Sequence, residues 1–574
     1  MKKTVLIILS AFLFRLLLVA GVSGSSFDNA DGEDSIRIAK GEAVFNQNCT
    51  GCHSFRQDGI GPNLAGLTSV VSSSWIERFI KDPQKTFKAG DKRAQQLLKK
   101  YKVMMPSFAL KDDELKNVVA FLSTKKFVIE PVTKGNGNAL TNPIPEPIKV
   151  SNLVGVLEAV TTIPASSKNG QLPLTRITKI GLQPNNENLF ILDLRGKLYQ
   201  LKNNKPEVYM DMEKLRPNFI NAPGLATGFG SFAFHPDFNK NGLLYTTHSE
   251  PARTAKADFA YADSIKVALQ WVLTEWKADD PSKPTFIGKG RELFRVNMVS
   301  VIHGVQEIVF NPLAKPGSED YGLLYIGVGE GGSVENGFPF LAHNKETVWG
   351  TVLRIDPAGT NSSNKQYGIP KQNPFAQSKN PAIAKEIYAY GFRNPHRITW
   401  THTGKILVSN IGHANIESVN LVEPGHDYGW PIREGTFLID PFGNLNKVFA
   451  LPVNDKTFNV TYPVAQFDHD EGNAISGGFE YTGSVVPQLK RKFLFGDIPS
   501  GRLFYFDMAE MKQGKQATVK EWKITINGAL KTFREVCGSK RVDLHFGKDS
   551  KNELYLLTKA DGKVYKLASA ELRN

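Results

Sequence analysis

The chain has 574 residues, 41% of them hydrophobic, 10% aromatic and 22% charged, with 50 glycines and 32 prolines. That is ordinary globular composition, too long for one hydrophobic core and rich enough in turn residues to predict many short strands. A net charge of +14 invites a nucleic-acid reading, but lysine and arginine are scattered and the densest runs, KKYK at 99–102 and LKRK at 489–492, are short. No nucleic-acid partner is expected; the basic residues read as a solvated surface.

At the N-terminus Lys2 and Lys3 precede a mostly apolar run from Thr4 to Val22 and then the small residues VSGSS. This is the layout of a secretory signal peptide over residues 1–24, cleaved after Gly24. Arg15 interrupts the run and argues against a permanent membrane span. The expected location is periplasmic or secreted, with membrane association only through an uncleaved signal.

The first chemical motif is CTGCH, with Cys49, Cys52 and His53. A zinc site would need a second Cys/His pair, which is not nearby, and a Cys49–Cys52 disulfide leaves His53 unexplained. Covalent haem c accounts for all three residues: two thiols add to the porphyrin vinyl groups and the following imidazole lies under the iron. Upstream, IRIAKGEAVFNQNC has Ile38, Val44 and Phe45 at helical spacing. Downstream come GPNLAG (61–66), VMMPSF and DDELKNVVAFLS, the last a capped helix turning Leu115, Val118, Val119 and Leu122 inward. In this order, residues 35–125 resemble an all-α class I cytochrome c domain. The resemblance implies Met105 as the second axial ligand, in preference to Met104, and the Pro62 carbonyl as the group holding the His53 ring. A His53/Met105 haem suits electron acceptance.

Residues 126–149 contain four prolines and little periodicity, so they read as a linker between two modules. From 150 to 574 short apolar strands recur at LFILDLRGKLYQL (189), LLYTTHSE (243), LLYIGVGEGG (323), ILVSNIGHANIE (406), FLFGDIPSGRLFYF (493) and LYLLTKADGKVYKL (554). Three share a second half, as GKLYQL, GRLFYF and GKVYKL. Strand repeats at uneven spacing suit propeller blades carrying variable insertions, and six of them predict an all-β six-bladed ring.

Within it, FHPDF (234–238), VIHGVQEIVFNP (301–312), YGFRNPH (390–396), IGHANIESVNLV (411–422) and YGWP (428–431) follow one another. They resemble the glucose/sorbosone dehydrogenase family, the soluble PQQ-dependent sugar dehydrogenases, whose fold is a six-bladed propeller. The resemblance implies His303 as catalytic base, Arg393 and Asn394 as the residues polarising the quinone carbonyl, Arg541 as a holder of a PQQ carboxylate, and Ca²⁺ on the backbone carbonyls of Gly412 and His413. An imidazole can take a hydroxyl proton while hydride leaves the same carbon, and a fixed guanidinium favours an oxygen gaining negative charge. Because PQQ has three carboxylates, its pocket should be basic.

This sequence departs from the family near IPSGRLF, where a lysine is absent and Arg502 is the nearest cation; at KRVDLH, where one arginine, Arg541, stands for two; and around Glu330–Gly331, where an amide near the reacting hydroxyl is replaced. Cys537, unpaired once haem is attached, is expected to be buried and inert. The expected protein is an exported quinohaemoprotein that oxidises an aldose or related alcohol or aldehyde. Its electrons pass one at a time to its own haem and then to an external acceptor, another cytochrome or a quinone-linked carrier. The competing expectation is a non-catalytic carbohydrate-binding propeller fused to an electron-carrying cytochrome.

Overall fold

A computed structural model describes residues 30–55, 60–125, 138–184 and 186–573. The expected signal peptide and residues 126–137 of the linker lie outside them.

The N-terminal region is helical: α1 (Ala30–Asn48), α2 (Leu67–Val70), α3 (Ser73–Lys81), α4 (Pro83–Lys88), α5 (Lys92–Tyr101) and α6 (Asp112–Ser123). Helix α6 starts where the Lys111 backbone N–H donates to Glu114 (2.7 Å), and three acidic residues occupy its first turn, complementing the helix dipole. Its Leu115, Val118, Val119 and Leu122 are buried as the pattern predicts, and with Phe45 of α1, Ile76 and Ile80 of α3 they form one core.

The remainder is a ring of six four-stranded antiparallel blades. Their innermost strands are, in order, Ile177–Leu182, Phe229–Phe234, Glu307–Phe310, Pro395–Trp400, Ile475–Glu480 and Leu544–Lys548. Each apolar repeat found in the sequence supplies the second strand of one blade: Leu189–Asp193, Leu243–Pro251, Leu324–Val328, Ile406–Asn410, Lys492–Asp497 and Leu554–Thr558.

These strands are buried on both faces, which explains runs such as LYIGV that do not alternate with polar residues. A blade therefore needs a neighbour on each side, and six separate apolar clusters fill the six gaps between blades. Between blades 3 and 4, for example, Tyr325, Val352 and Ala389 meet Ile398, Trp400 and Val408. Between blades 6 and 1, Tyr555, Leu557 and Val564 meet Ile177, Ile180 and Ile191.

Strand β1 (Lys149–Thr162) closes the ring. It pairs antiparallel with Lys563–Leu572 as the outer strand of blade 6, and parallel with Lys520–Ile526 of blade 5. The chain before β1 is tied down more than the linker reading expects. Leu140 N–H donates to the Val448 carbonyl (2.9 Å), and Ile144 and Ile148 N–H groups donate to Asp468 and Glu471. The backbone groups of this proline-rich segment find partners on the propeller, so the second half of the linker is part of that domain.

Candidate active site and haem crevice

Helix α1 ends in a turn in which the Cys52 and His53 N–H groups both donate to the Cys49 carbonyl (3.0 and 2.9 Å). Cys49 and Cys52 carry no disulfide. Their thiols, His53, Met104 and Met105 line one crevice, walled by apolar residues such as Ile76, Leu98 and Val118. His53 Nδ1 donates to the Pro62 carbonyl at 2.9 Å, which places the lone pair on Nε2, the atom an iron ligand uses. Gly61 permits this: a β-carbon there would overlap the His53 ring. Two thiols, an oriented imidazole and thioethers around an apolar slot fit a covalent haem.

The second centre is at the face of the propeller where the loops enter the inner strands. His303 precedes the inner strand of blade 3 with a φ of 51°, a left-handed conformation that costs a non-glycine residue of order 1–3 kcal/mol. Its Nδ1 lies 2.7 Å from Glu330 Oε1. Glu330 follows the second strand of the same blade, is 0% exposed, and also accepts from Gly332 N (2.9 Å), Ser333 Oγ (2.9 Å) and Val334 N (3.0 Å). Burial opposes its ionisation, but the hydrogen bond from His303 and the Arg393 charge hold the carboxyl below its ordinary range. Burial, reinforced by the Arg393 charge, pushes His303 below the ordinary imidazole value despite Glu330. The ring is therefore neutral at neutral pH, with its proton on Nδ1 and its lone pair on Nε2.

Arg393, 2% exposed, is joined to this pair through its carbonyl, which accepts from Glu330 N–H at 2.9 Å. Its guanidinium pairs with Glu335, donates to the Gly412 carbonyl and lies 5.6 Å from the Trp430 ring centre. Its Nε is buried without a partner. Asn394 is buried beside it, its N–H donating to Asn410 Oδ1 at 3.0 Å. Glu335 also contacts His413 Nδ1 (3.0 Å). Burial opposes its charge, but Arg393 and His413 hold it far below the ordinary carboxylate range.

Toward the axis the inner strands and the turns beside them bring together Arg176, Lys179, Arg397 and Lys559. Burial, opposed by Asp543 and reinforced by Arg176, Arg541 and Arg397, pushes Lys559 down to about 8. His396 and His545 stand 5.7 Å apart between ring centres, and all four of their ring nitrogens are buried without partners. Lys179 and Arg397 pair with Glu307, and Arg176 donates to the carbonyls of Asn221, Gly224 and Thr227, so Lys559 and the unpaired imidazole nitrogens are the groups that a bound carboxylate would complete.

The two centres face each other. A β-carbon on Gly51, in the attachment turn, would lie 2.9 Å from Ile302 Cγ2, next to His303. Lys102 Nζ reaches Asp470 Oδ1 at 2.7 Å, and Lys540 Nζ lies 5.7 Å from the Phe87 ring centre.

The family model for Glucose / Sorbosone dehydrogenase matches residues 179–557. The chain belongs to the glucose/sorbosone dehydrogenase family. A cytochrome c family model matches residues 38–126, so the dehydrogenase propeller carries a cytochrome c domain at its N-terminal side. HIPL1 protein of Arabidopsis thaliana is 25% identical over 377 residues, 58% of this chain and 52% of that protein. Quinoprotein glucose dehydrogenase B of Acinetobacter calcoaceticus is 26% identical over 235 residues, 38% of this chain and 42% of that protein. The chain thus spans about half the length of the curated relatives it matches. A crystal structure of glucose dehydrogenase superposes with a TM-score of 0.50 at 18% identity, covering 72% of this chain and 99% of that one, which speaks for the fold.

Several residues of this glucose/sorbosone dehydrogenase propeller have places the sequence does not reveal. Glu330 occupies no substrate position: it is enclosed and holds His303. Arg502 is no stand-in for the absent lysine, because it pairs with Glu471 and Glu521, each at 2.7 Å. Lys559, from the turn after the second strand of blade 6, supplies a buried cation instead. Arg541 lines the haem crevice, and its charge also registers on Lys559, so it stands between the two centres. Cys537 is half-buried rather than buried, with burial and Asp561 pushing its thiol up to about 12. The Gly412 carbonyl, expected to bind Ca²⁺, accepts from Arg393, and the His413 N–H donates to Glu434 at 2.6 Å. Among the described residues no three His, Cys, Asp or Glu side chains group as a metal site. No described helix is long and apolar enough to cross a membrane.

Proposed function

We propose that this chain is a periplasmic or secreted quinohaemoprotein dehydrogenase. It oxidises an aldose sugar or a related alcohol or aldehyde in the propeller, and its electrons leave through the cytochrome domain to an external acceptor. The observation that carries this reading is the seating of the Cys49–His53 turn against Ile302, so that a haem crevice opens beside the candidate base. When bound, PQQ supplies a hydride acceptor and haem a one-electron acceptor.

The chain's own residues do the rest. His303, neutral and with its lone pair on Nε2, takes the proton of the substrate hydroxyl as the carbon beside it is oxidised to a carbonyl. Glu330 keeps the ring in that tautomer and stabilises the imidazolium that forms. Arg393, with Asn394 beside it, presents positive charge already in place before reaction, so no reorganisation is needed when an oxygen gains negative charge. Lys559, with the unpaired His396 and His545 rings nearby, is the group at the axis left to hold a carboxylate. The cytochrome domain meets this face where Gly51 lies against Ile302.

The deciding experiment is an absorbance spectrum of PQQ-treated protein with sugar as the only reductant, with and without Ca²⁺. Reduction of the haem supports the reading. Failure of PQQ to bind by titration calorimetry in the presence of Ca²⁺ overturns it in favour of a carbohydrate-binding propeller.

A further inference from the structure

Arg541 is a propeller residue, yet it lines the crevice of the cytochrome domain together with Cys49, Cys52 and His53. It is held there from three sides. Its Nε lies 2.8 Å from Asp543 Oδ1, its N–H donates to Ser539 Oγ (3.2 Å), and its carbonyl accepts from the same hydroxyl (2.8 Å). Arg541 and Asp543 form a close ion pair, and of the two only Arg541 lines the crevice. The neighbouring Lys540 lies over Phe87 of α4, so this loop meets the cytochrome domain. Among the charges that register on Cys52, Arg541 is the largest, and the carboxylates of Glu335 and Asp543 oppose it.

We propose that Arg541 is a positioning residue of the electron-transfer step: a cation fixed by the propeller at the Cys52 edge of the crevice, which raises the reduction potential of the haem in the neighbouring domain. Ferric haem carries one more positive charge than ferrous haem, so a cation held beside it in a poorly solvated site penalises the ferric form and favours acceptance of an electron. Asp543, as its counter-charge, moderates the effect. The dehydrogenase domain thereby makes its own acceptor more oxidising when the two domains are docked. This rests on the haem proposed above. Absence of that haem would appear as missing haem absorbance, whereas failure of the present inference appears as an unshifted midpoint.

The test is mediated spectroelectrochemical titration of the full-length haem-loaded chain without PQQ, so that no turnover enters the readout. Arg541→Gln is expected to lower the ferrous-to-ferric ratio at a fixed poise about tenfold, a downward shift of about 59 mV for a one-electron couple. Arg541→Lys is expected to keep most of the potential, and Asp543→Asn to raise it. An unchanged midpoint in Arg541→Gln overturns the inference. So does an equal fall in Arg541→Lys accompanied by an altered haem-ligation spectrum, which would make the side chain structural. If Arg541→Gln does not accumulate, Asp543→Asn decides alone: a midpoint that does not rise overturns it.

Discussion

His303 Nδ1 sits 2.7 Å from a Glu330 carboxylate that is fully enclosed and takes three further hydrogen bonds from its own turn. Nothing mobile remains in this pair. The carboxylate cannot turn away, so the imidazole cannot change tautomer without losing a charge-assisted hydrogen bond of about 1.5–3 kcal/mol.

His303→Ala is expected to abolish haem reduction by sugar, with a loss of roughly 10²–10⁴-fold in turnover, while the haem spectrum stays intact. Glu330→Gln should lose less but shift the pH profile. In the parent protein, burial and then Arg393 hold His303 below the ordinary imidazole value. The active neutral form is therefore complete at neutral pH, and kcat/KM falls only as pH drops below the usual histidine range. Removing the Glu330 charge lowers the imidazole further, so that fall should move to still lower pH. Stopped-flow haem reduction across pH checks both, and a Glu330→Gln profile shifted upward would be incompatible with this assignment.

Lys559 offers a test of cofactor affinity that does not depend on turnover. Lys559→Met is expected to weaken PQQ binding roughly tenfold to a hundredfold, the value of one hydrogen bond to a charged group. In the parent the free lysine titrates at about 8. Below that pH the cation is already present; above it, binding an anion must first recover the proton. Affinity should therefore fall as pH rises through about 8, and the Lys559→Met variant should lack this slope in calorimetric titrations.

The crevice distinguishes its two methionines. Met105→Ala should change the haem-ligation spectrum and slow reduction through the haem, leaving dye-linked sugar oxidation nearly normal. Met104, 4% exposed, belongs to the wall. Its replacement by alanine should cost about 2–5 kcal/mol of stability in thermal unfolding without changing ligation. Gly61→Ala should disturb ligation too, since the new methyl group must displace the His53 ring. Haem staining of denaturing gels should survive all three substitutions and disappear when both Cys49 and Cys52 are replaced.

Docking of the two domains should be sensitive to salt. The Lys102–Asp470 pair is exposed on both sides, and such pairs contribute only about 0–1 kcal/mol. Lys102→Glu should leave the melting temperature nearly unchanged but slow haem reduction by sugar at low ionic strength. Combining it with Asp470→Lys should restore the rate. If the double variant is as slow as the single one, this contact does not guide docking.

The sequence by itself determined what depends on neighbours in the chain. The haem anchor is five consecutive residues, Cys49 to His53, and its helices carry their own periodicity and capping. The six apolar strands could be counted because every blade must bury both faces, which writes an unbroken apolar run into each second strand. His303, Arg393 and Asn394 were legible because they sit in distinctive local motifs.

Tertiary structure decided what depends on ring closure and on docking. Lys559, Arg176, Arg397, His396 and His545 come from the inner strands of blades 1, 4 and 6 and the turns beside them, and each reads locally as one polar residue among apolar neighbours. Only the ring gathers them, and only then do burial and the neighbouring arginines depress Lys559 and four imidazole nitrogens go unpaired. Glu330 read as a changed substrate contact and Arg502 as a substitute cation, because sequence shows charge without its partner; the fold gives them His303 and the Glu471–Glu521 pair. Arg541 is the extreme case. Its place in the lining of the cytochrome crevice comes from docking, where Gly51 meets Ile302 and Lys540 meets Phe87, contacts between modules whose sequences carry no trace of each other.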